Sequence, residues 1–545
     1  MEEIAEKLTG VCVALGEYPT IRYYRPRNPT HEAAVLCTHL ARFVQDKLDL
    51  YAQFNPDFPP QSNRPRGALY ITDRSIDLSA PLLHEFTYQA MAHDLLPIQD
   101  ANKVTYKTVV NEGQPDAEEK DMEINEKDKI WVENRHQHMK DTITKLMTDF
   151  QKFIADNPQF TNQDSQNATG VNGLNAIKDM IAGLPQFQEM KEAYSLHLTM
   201  AQECMNLFQR NKLPDLASVE QCLATGLDED YRKAKNMADQ VVRTLDEESI
   251  VPSDRLRLIA LYLLYKDGIH PGDLNKLLLH AQLPPTDGQV ITNLDFLGAR
   301  TSKALKEKRE PPQPVFARKT IPPPNAEEYA LSRFTTAVYD LLEEHVRGTL
   351  SQEIFPYTKQ PADDPNASLQ DNNPAASLRS AKPTWAKSRL TSVEPRQRVI
   401  MFMAGGATYS ESRACYEVSE KTSRDIFLVT SHMVSPSLYL RQVGDLTQNR
   451  RALRLPQDAP PPKAPAHLFE KPEPPKPAPP PAGANPMSQV GGLPPRPGRS
   501  AAPPTAAMGA MKLDSTPAPP SASGKPGKDD KDKKKKKHHF FSSKS

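Results

Sequence analysis

The sequence predicts an α/β fold, split by a large and mostly helical insertion and followed by a disordered tail. Three observations carry that prediction. Ala68–Thr72, Arg398–Ala404 and Asp425–Thr430 are continuous apolar runs of strand length, the pattern of strands buried on both faces of a parallel sheet. Between the first two, helical periodicity dominates. From Pro456 to Ser545 lie 22 of the 52 prolines, in a segment that cannot bury enough apolar surface to offset the entropy of ordering it. A sheet of so few strands would not stand alone, so the two halves are expected to meet across the insertion.

The bulk numbers bound the rest. A chain of 545 residues is too long for one core. Its 68 basic and 68 acidic side chains cancel, which argues against a field that gathers nucleic acid. Five scattered cysteines without a Cys-x-x-Cys pair support neither a disulfide framework nor a zinc ribbon, and fit a reducing compartment. The acidic, amphipathic N-terminus does not read as a signal peptide. The longest apolar run, Leu256–Tyr265, is interrupted by Arg257 and is roughly half of what a bilayer crossing needs.

Taken in order, Glu2–Leu15 carries Ile4, Leu8 and Val11 at helical spacing, and Thr20–Tyr24 is extended. His31–Tyr51 is a second helix, Asn55–Arg66 a proline-broken loop, and Ala68–Thr72 the first buried strand. Helices are predicted over Pro81–Leu95 and, after an acidic loop, over Lys129–Ala155. Glu189–Arg210 places Tyr194, Leu198, Ala201, Met205 and Phe208 on a seam that should pack on another helix. Ser253–Lys266 is apolar nearly all round, capped by Ser253 and stopped by Gly268. Gly272–His280 is a shorter helix before Pro284-Pro285. Residues 299–325, basic and proline-punctuated, read as an excursion, and Lys359–Pro395 as a disordered loop. Ala326–Leu350 gives a second seam through Leu331, Phe334, Val338, Leu341 and His345. Strand Arg398–Ala404, turn Gly405-Gly406, helix Ser410–Ser419 and strand Asp425–Thr430 close the folded part.

Signals for chemistry are weak. Gly405-Gly406 follows a strand, yet no G-x-G-x-x-G or Gly-Lys-Ser/Thr accompanies it, so a tight turn allowing close packing is the better account than a nucleotide site. Asp73 and Asp77 flank a strand end where magnesium-dependent enzymes place carboxylates, but Arg74 could neutralise Asp73 and no third ligand stands near. A salt-bridged corner is the preferred reading. His136 and His138 diverge by about 200° on a helix and cannot share one zinc unaided, and His84 and His93 bring no further ligand. No Gly-x-Ser-x-Gly elbow occurs. No catalytic residue, metal or cofactor is therefore assigned, and the chain reads as a non-enzyme. The Lys531–Lys537 run is a solvated charge run or a weak contact for anionic lipid, where each lysine contributes about 1 kcal/mol before salt and tail entropy reduce it. The prolines upstream fit ligands of proline-recognising modules only by composition.

Arg66–Ile98 closely resembles the Sec/Munc family of syntaxin-binding proteins that assist SNARE-driven membrane fusion. Further matches are Leu15–Pro19, Trp131–His136, Asp254–Ile259 through Tyr262, His280–Pro284, Tyr329–Phe334, Phe402–Gly406 through Arg413–Glu417, and Thr430–His432 with Pro436. They run in order over residues 1–440. The exocytic branch fits best, and the proline-rich tail looks fungal. The resemblance implies an arch whose second, parallel α/β domain is made of two segments around an inserted third domain. Here those would be 1–75 and 396–455, with 76–395 inserted and 456–545 as tail. It also implies a long helical hairpin that meets SNARE helices, with limbs near Ser253–Asn293 and Asn325–Leu350. On it, Leu331, Phe334 and Val338 would make a hydrophobic contact that Arg333 and Asp340 orient; packing within the insertion is the alternative for each.

What the resemblance implies of function is a non-enzymatic regulator that templates SNARE assembly for docking and fusion in exocytosis, cytoplasmic and peripheral at the plasma membrane or sites of secretion. Its partners would be a syntaxin-type target-membrane SNARE, a vesicle SNARE and the assembled complex, with no nucleic acid. Family members carry a first α/β domain and further opening strands ahead of the region that begins here at Met1, so syntaxin clasping is expected to be impaired and the sheet to expose an edge or face. An incomplete gene product acting as a scaffold, or a Rossmann-like nucleotide-binding enzyme, are the alternatives.

Overall fold

The computed structural model describes residues 1–449 apart from 28, 30–31, 101–102, 111–117, 157–170, 311, 318–321, 323–328 and 362–394, together with residue 452. The proline-rich tail, its lysine-rich end and most of the loop expected at 359–395 lie outside the described residues.

The chain opens with α1 (Glu2–Ala14), β1 (Thr20–Tyr23), α2 (Leu36–Phe54) and β2 (Ala68–Asp73). The insertion follows: α3 (Tyr88–Leu95), β3 (Gln99–Asp100), β4 (Val104–Val110), β5 (Glu118–Glu123), α4 (Lys129–Asn134), α5 (Met139–Asp156), α6 (Val171–Arg210), α7 (Leu213–Thr225), α8 (Met237–Leu245), α9 (Pro252–Lys266), α10 (Pro271–His280) and α11 (Asp287–Asn293). The chain returns through α12 (Ala337–Arg347), β6 (Arg398–Ala404), β7 (Ala407–Thr408), α13 (Tyr409–Thr422), β8 (Asp425–Thr430), β9 (Met433–Val434) and α14 (Pro436–Asp445).

The two halves do meet. A parallel four-stranded sheet has the order β1-β2-β6-β8, with Ala68 opposite Val399 and Val399 opposite Ile426. Every residue of β2 and the five central residues of β6 are buried, which is why neither strand alternates polar with apolar. The outer edge of β1 is closed by the segment 354–358. Tyr23 and Arg25 donate backbone N–H groups to the Pro356 and Ile354 carbonyls (3.2 and 2.8 Å), and Thr358 donates to Ile21 (3.0 Å). Arg22 clamps that segment, with Nε on the Phe355 carbonyl at 2.8 Å and its guanidinium 4.6 Å from the Tyr357 ring. The opposite edge, β8, is half-exposed at all six positions.

Three apolar cores form. The first joins the sheet to α1, α2, α12 and α13, and includes Val338, Leu341, Leu342, Leu350, Ile354 and Phe355. Residues 337–358 therefore belong with the sheet rather than with the insertion, a correction to a boundary placed at 395. The second core gathers α7 to α11 and takes in Tyr439, Leu440 and Val443 of α14. The third holds α3 to α6 around a three-stranded antiparallel sheet of order β3-β4-β5.

Other departures have local causes. Only the last part of Pro81–Leu95 is helical, because Leu82 and His84 bond into the insertion: the Leu82 carbonyl accepts from Arg257 Nε (2.8 Å) and His84 N–H donates to Glu220 (3.0 Å). Lys129–Ala155 breaks in two at 135–138, where the Arg135 and Gln137 carbonyls accept from Gln89 and Tyr88 instead of continuing a helix. The long hairpin expected within 253–350 is not formed by the residues described there. Asp267 and Gln282 in left-handed conformation (φ 54 and 56) divide the first limb into short helices, and Thr336 restarts the second as an N-cap whose hydroxyl accepts from Tyr339 N–H. The long antiparallel helix pair is α5 with the 40-residue α6, where Tyr194 meets Phe150 and Phe153 at 5.5 and 5.8 Å.

Candidate partner-binding site

The strand ends of β2 and β6 converge on a buried corner. Arg74, 4% exposed, forms a bidentate pair with fully buried Glu411 at 2.7–2.9 Å and donates to the Asp77 carbonyl at 2.7 Å. Glu411 also closes the capping box of α13 with Thr408. The partner of Arg74 is thus Glu411 and not Asp73, whose carboxylate accepts from Ser75 N–H (2.9 Å) and from the Cys37 thiol (3.1 Å). Asp77 accepts from Ser79, Ala80 and Ala337 N–H groups, tying the start of α12 to this corner. These oxygens are committed to protein donors, and among the described residues no three His, Cys, Asp or Glu converge as metal ligands. Gly405 and Gly406 adopt φ of +88° and +93°. A Cβ on Gly406 would stand 2.1 Å from Val434 Cγ2, so the turn admits no side chain.

A second buried network fastens the connection after β2 to the insertion. His84 faces Glu220 at 2.9 Å and Asp254 at 3.5 Å, while Arg257 pairs with Asp94 (3.0 Å) and Asp254 (3.2 Å). Burial and the adjacent Arg257 oppose a charge on His84, but Glu220 and Asp254 outweigh them and push its pKa up to about 10. Asp254 is held down at about 2: burial raises it, and the bonds to His84 and the charge of Arg257 prevail.

Between these rigid parts lies a cleft of about 590 Å³. Its walls are Glu85 and Thr87, the entry to α5 (His136, His138, Asp141), the segment 329–339 and the outer face of α13 (Arg413, Glu417, Lys421). Tyr329 donates to Asp141 at 2.8 Å and meets the His138 ring at 4.9 Å. Arg413 lies between Glu417 (2.7 Å) and Glu85 (3.5 Å). Lys421 stands 5.3 Å over the Tyr339 ring. Burial, aided by Arg135 and Arg413, lowers His136 to about 4, and burial lowers His138 as well, so the cleft holds neutral imidazoles at neutral pH. Four buried polar atoms of its lining have no partner among the described residues, His136 Nε2, Ser332 Oγ, Arg333 Nε and Arg413 Nε, and Glu85 Oε1 has only the long ion pair with Arg413. A buried donor or acceptor left unmatched costs about 1–3 kcal/mol, so this lining gains from a polar occupant.

The five residues assigned to partner contact are not on one seam. Leu331 lies in a single 3-10 turn, half-buried against the third core. Arg333 and Phe334 lie in the irregular segment between that turn and α12. Arg333 donates to the Ala330 and Leu227 carbonyls, and Phe334 N–H to Gln221 Oε1 at 2.8 Å. Both line the cleft. Val338 is fully buried in the first core, so it packs and presents nothing to a partner in this conformation. Asp340 is half-buried in the first turn of α12. Sequence reasoning assigned no contact to Tyr329, Asp141 or Lys421, whose convergence depends on three separate elements; the motifs Tyr329–Phe334, Trp131–His136 and Arg413–Glu417 all contribute to the lining, but nothing in their order along the chain shows that they meet.

A family model described as the Sec1 family matches residues 1–442. Protein transport protein sec1 of Schizosaccharomyces pombe is 36% identical over 461 residues, covering 84% of this chain and 64% of that protein. Protein transport protein SEC1 of Saccharomyces cerevisiae is 30% identical over 496 residues, covering 84% and 67%. The chain thus spans about two thirds of the length of these relatives. Among solved structures, that of the Unc18–syntaxin 1 complex from Monosiga brevicollis superposes with a TM-score of 0.63 at 25% identity, over 81% of this chain and 70% of that one.

Proposed function

The chain belongs to the Sec1 family, and from that membership we propose that it regulates vesicle fusion by binding a syntaxin-type SNARE at the cleft and along the α5–α6 hairpin that rises from it. The observation that carries the placement is the cleft lining: four unmatched buried polar atoms beside aromatic and charged side chains, at the foot of the longest helix pair described. A partner helix laid along α5 meets Met147, 51% exposed, among otherwise polar outward residues, while its polar flank reaches Lys421 and Tyr329. Apolar anchors supply affinity and charged rims set register.

SNARE segments are polar chains that lose much entropy on assembly. A rigid surface holding two of them in register lowers that loss, so the same site templates a target-membrane and a vesicle SNARE and then retains the assembled complex. The action makes and breaks no covalent bond. It takes place in the cytoplasm at a secretory membrane, and among the described residues no helix is long and apolar enough to cross one.

Capture of a syntaxin-type SNARE by the full chain tests this. Lys421→Glu and Met147→Glu, both at exposed positions, are expected to weaken capture about tenfold each without lowering the melting temperature. Leu331→Arg is a poorer probe because Leu331 packs on a core. Undiminished capture by both exposed variants overturns the placement.

A further inference from the structure

A basic pocket of about 410 Å³ opens on the insertion between the end of α9, the start of α10 and the segment 300–303, and shares no lining residue with the cleft. Gly268 makes it possible. At φ +94°, a Cβ there would lie 3.0 Å from the Ser302 carbonyl oxygen and 3.1 Å from that of Arg300, so only glycine lets this segment lie against the end of α9. Lys303 N–H donates to the Ile269 carbonyl at 3.1 Å, and Arg300 pairs with Asp267 at 2.7 Å, which fixes the approach.

The consequence is a cluster of like charges. Lys266, Lys276 and Lys303 line the pocket against one carboxylate, Asp273, which pairs with Lys276 at 3.0 Å. Lys266 rests over the Tyr262 and Tyr265 rings at 5.6 and 5.8 Å. Neither Lys266 nor Lys303 makes a close ion pair among the described residues; the nearby Glu307 carboxylate, which Lys303 helps to hold down, is itself paired with Arg309 at 2.5 Å.

Two leucines flank the pocket. Leu279, three residues beyond Lys276 on α10 and so beside it on the helix surface, is 80% exposed. Leu305, two residues beyond Lys303, is 74% exposed at the apex of a turn closed by Glu307 N–H on the Ala304 carbonyl (3.2 Å). Lys306 takes the left-handed position of that turn (φ 65), and Lys308 follows. A single exposed leucine is ordinary, but two leucines projecting beside a pocket in which three lysines outnumber one carboxylate match one environment, the boundary between anionic headgroups and acyl chains.

We propose that this face docks on a membrane leaflet rich in phosphate-bearing lipid, with a headgroup phosphate held in the pocket by Lys266 and Lys303 and with Leu279 and Leu305 entering the leaflet. A phosphopeptide would need a groove to receive its own apolar side chains, whereas here the apolar groups project outward.

The test uses the full chain and vesicles of phosphatidylcholine alone or with phosphatidylinositol bisphosphate, read by co-sedimentation; comparing variants within one chain cancels any contribution of the lysine-rich end. Lys266→Glu with Lys303→Glu is expected to weaken binding to the anionic vesicles by roughly tenfold or more. Leu279→Ser with Leu305→Ser is expected to weaken vesicle binding to a similar degree while leaving capture of soluble inositol hexakisphosphate intact. Melting temperatures check that both variants fold. Parent-like vesicle binding by either folded variant overturns the proposal. So does a leucine variant that binds vesicles normally while phosphopeptide competes, which would make the pocket a peptide site. Neither readout depends on SNARE capture.

Discussion

A guanidinium sealed from water must find its counter-charge inside the protein, and two arginines here hold the molecule together on that account. Arg74 and Arg257 are each at most 4% exposed and each meets carboxylates from distant parts of the chain. Removing one partner of such a pair leaves a buried charge and costs about 3–5 kcal/mol. The Arg257 cluster has a further consequence through His84. Its folded pKa of about 10 lies above the ordinary histidine value of 6.5, so the protonated form is favoured in the folded state. The stability it contributes is fully present below about pH 6.5 and is lost as pH rises toward 10. Asp254, lowered from 3.8 to about 2, acts in the other direction, its contribution present above about pH 3.8 and lost as pH falls through 2. Melting temperature measured against pH is therefore expected to decline between pH 6.5 and 10, and to decline less in His84→Gln. Equal slopes for parent and variant would contradict the assignment. In the sequence Arg257 shows only as an interruption of an apolar helix and as part of a family motif; its partners are not readable there, because the tertiary fold brings them to it.

At the scale of elements, β2 and β6 were readable because an unbroken apolar run and burial agree there. The seam on α6 was offset: its buried stripe runs through Leu196, Met200, Ala201 and Cys204, while Tyr194, Leu198, Met205 and Phe208 are half-buried at its margin. The strand β4 carried a signal too, in the β-branched run Val104-Thr-Tyr-Lys-Thr-Val-Val110, but its partner β5 is Glu118-Glu-Lys-Asp-Met-Glu123, which no strand propensity would select. The seam through Leu331, Phe334 and Val338 failed for a different reason: periodicity continues through Thr335-Thr336, while the backbone stops to cap a new helix. Of the candidate cleft only part of one wall was assigned, Arg333 and Phe334, since its other walls come from α5 and α13. The new helix makes a discriminating prediction. Val338→Ala, deleting methyl groups from the first core, is expected to lower stability by about 1–3 kcal/mol by denaturant unfolding. SNARE capture under native conditions should stay within about twofold of the parent. A selective loss of capture without loss of stability would return Val338 to the binding surface.

The whole molecule is organised around a sheet whose strands are far apart in sequence. The insertion is not a detachable bead on that sheet: Asn293 donates to the Val443 carbonyl at 2.8 Å, and Leu82, His84 and Arg257 bind it from the other side. The return of 337–358 to close the β1 edge adds a third crossing. That the halves must join was readable from too few strands; which segment seals the edge was not, because 354–358 bonds through backbone groups that any sequence carries. The pairing of β2 with β6 also sets a clock. Thr72 finds its acceptor, the Phe402 carbonyl, 330 residues later. At about 5–20 residues per second, a ribosome takes roughly 15–65 s to deliver it. Through that interval a six-residue apolar strand waits with one side of its ladder unmade, in a cell full of other nascent chains. Ribosome-held chains ending before Arg398 are accordingly expected to be cut by added protease near Ala68–Asp73, and chains in which Thr430 has cleared the exit tunnel to resist. Equal resistance at both lengths would mean that the early segments find an interim partner. Without one, β2 is the stretch a chaperone must hold until its neighbour is made.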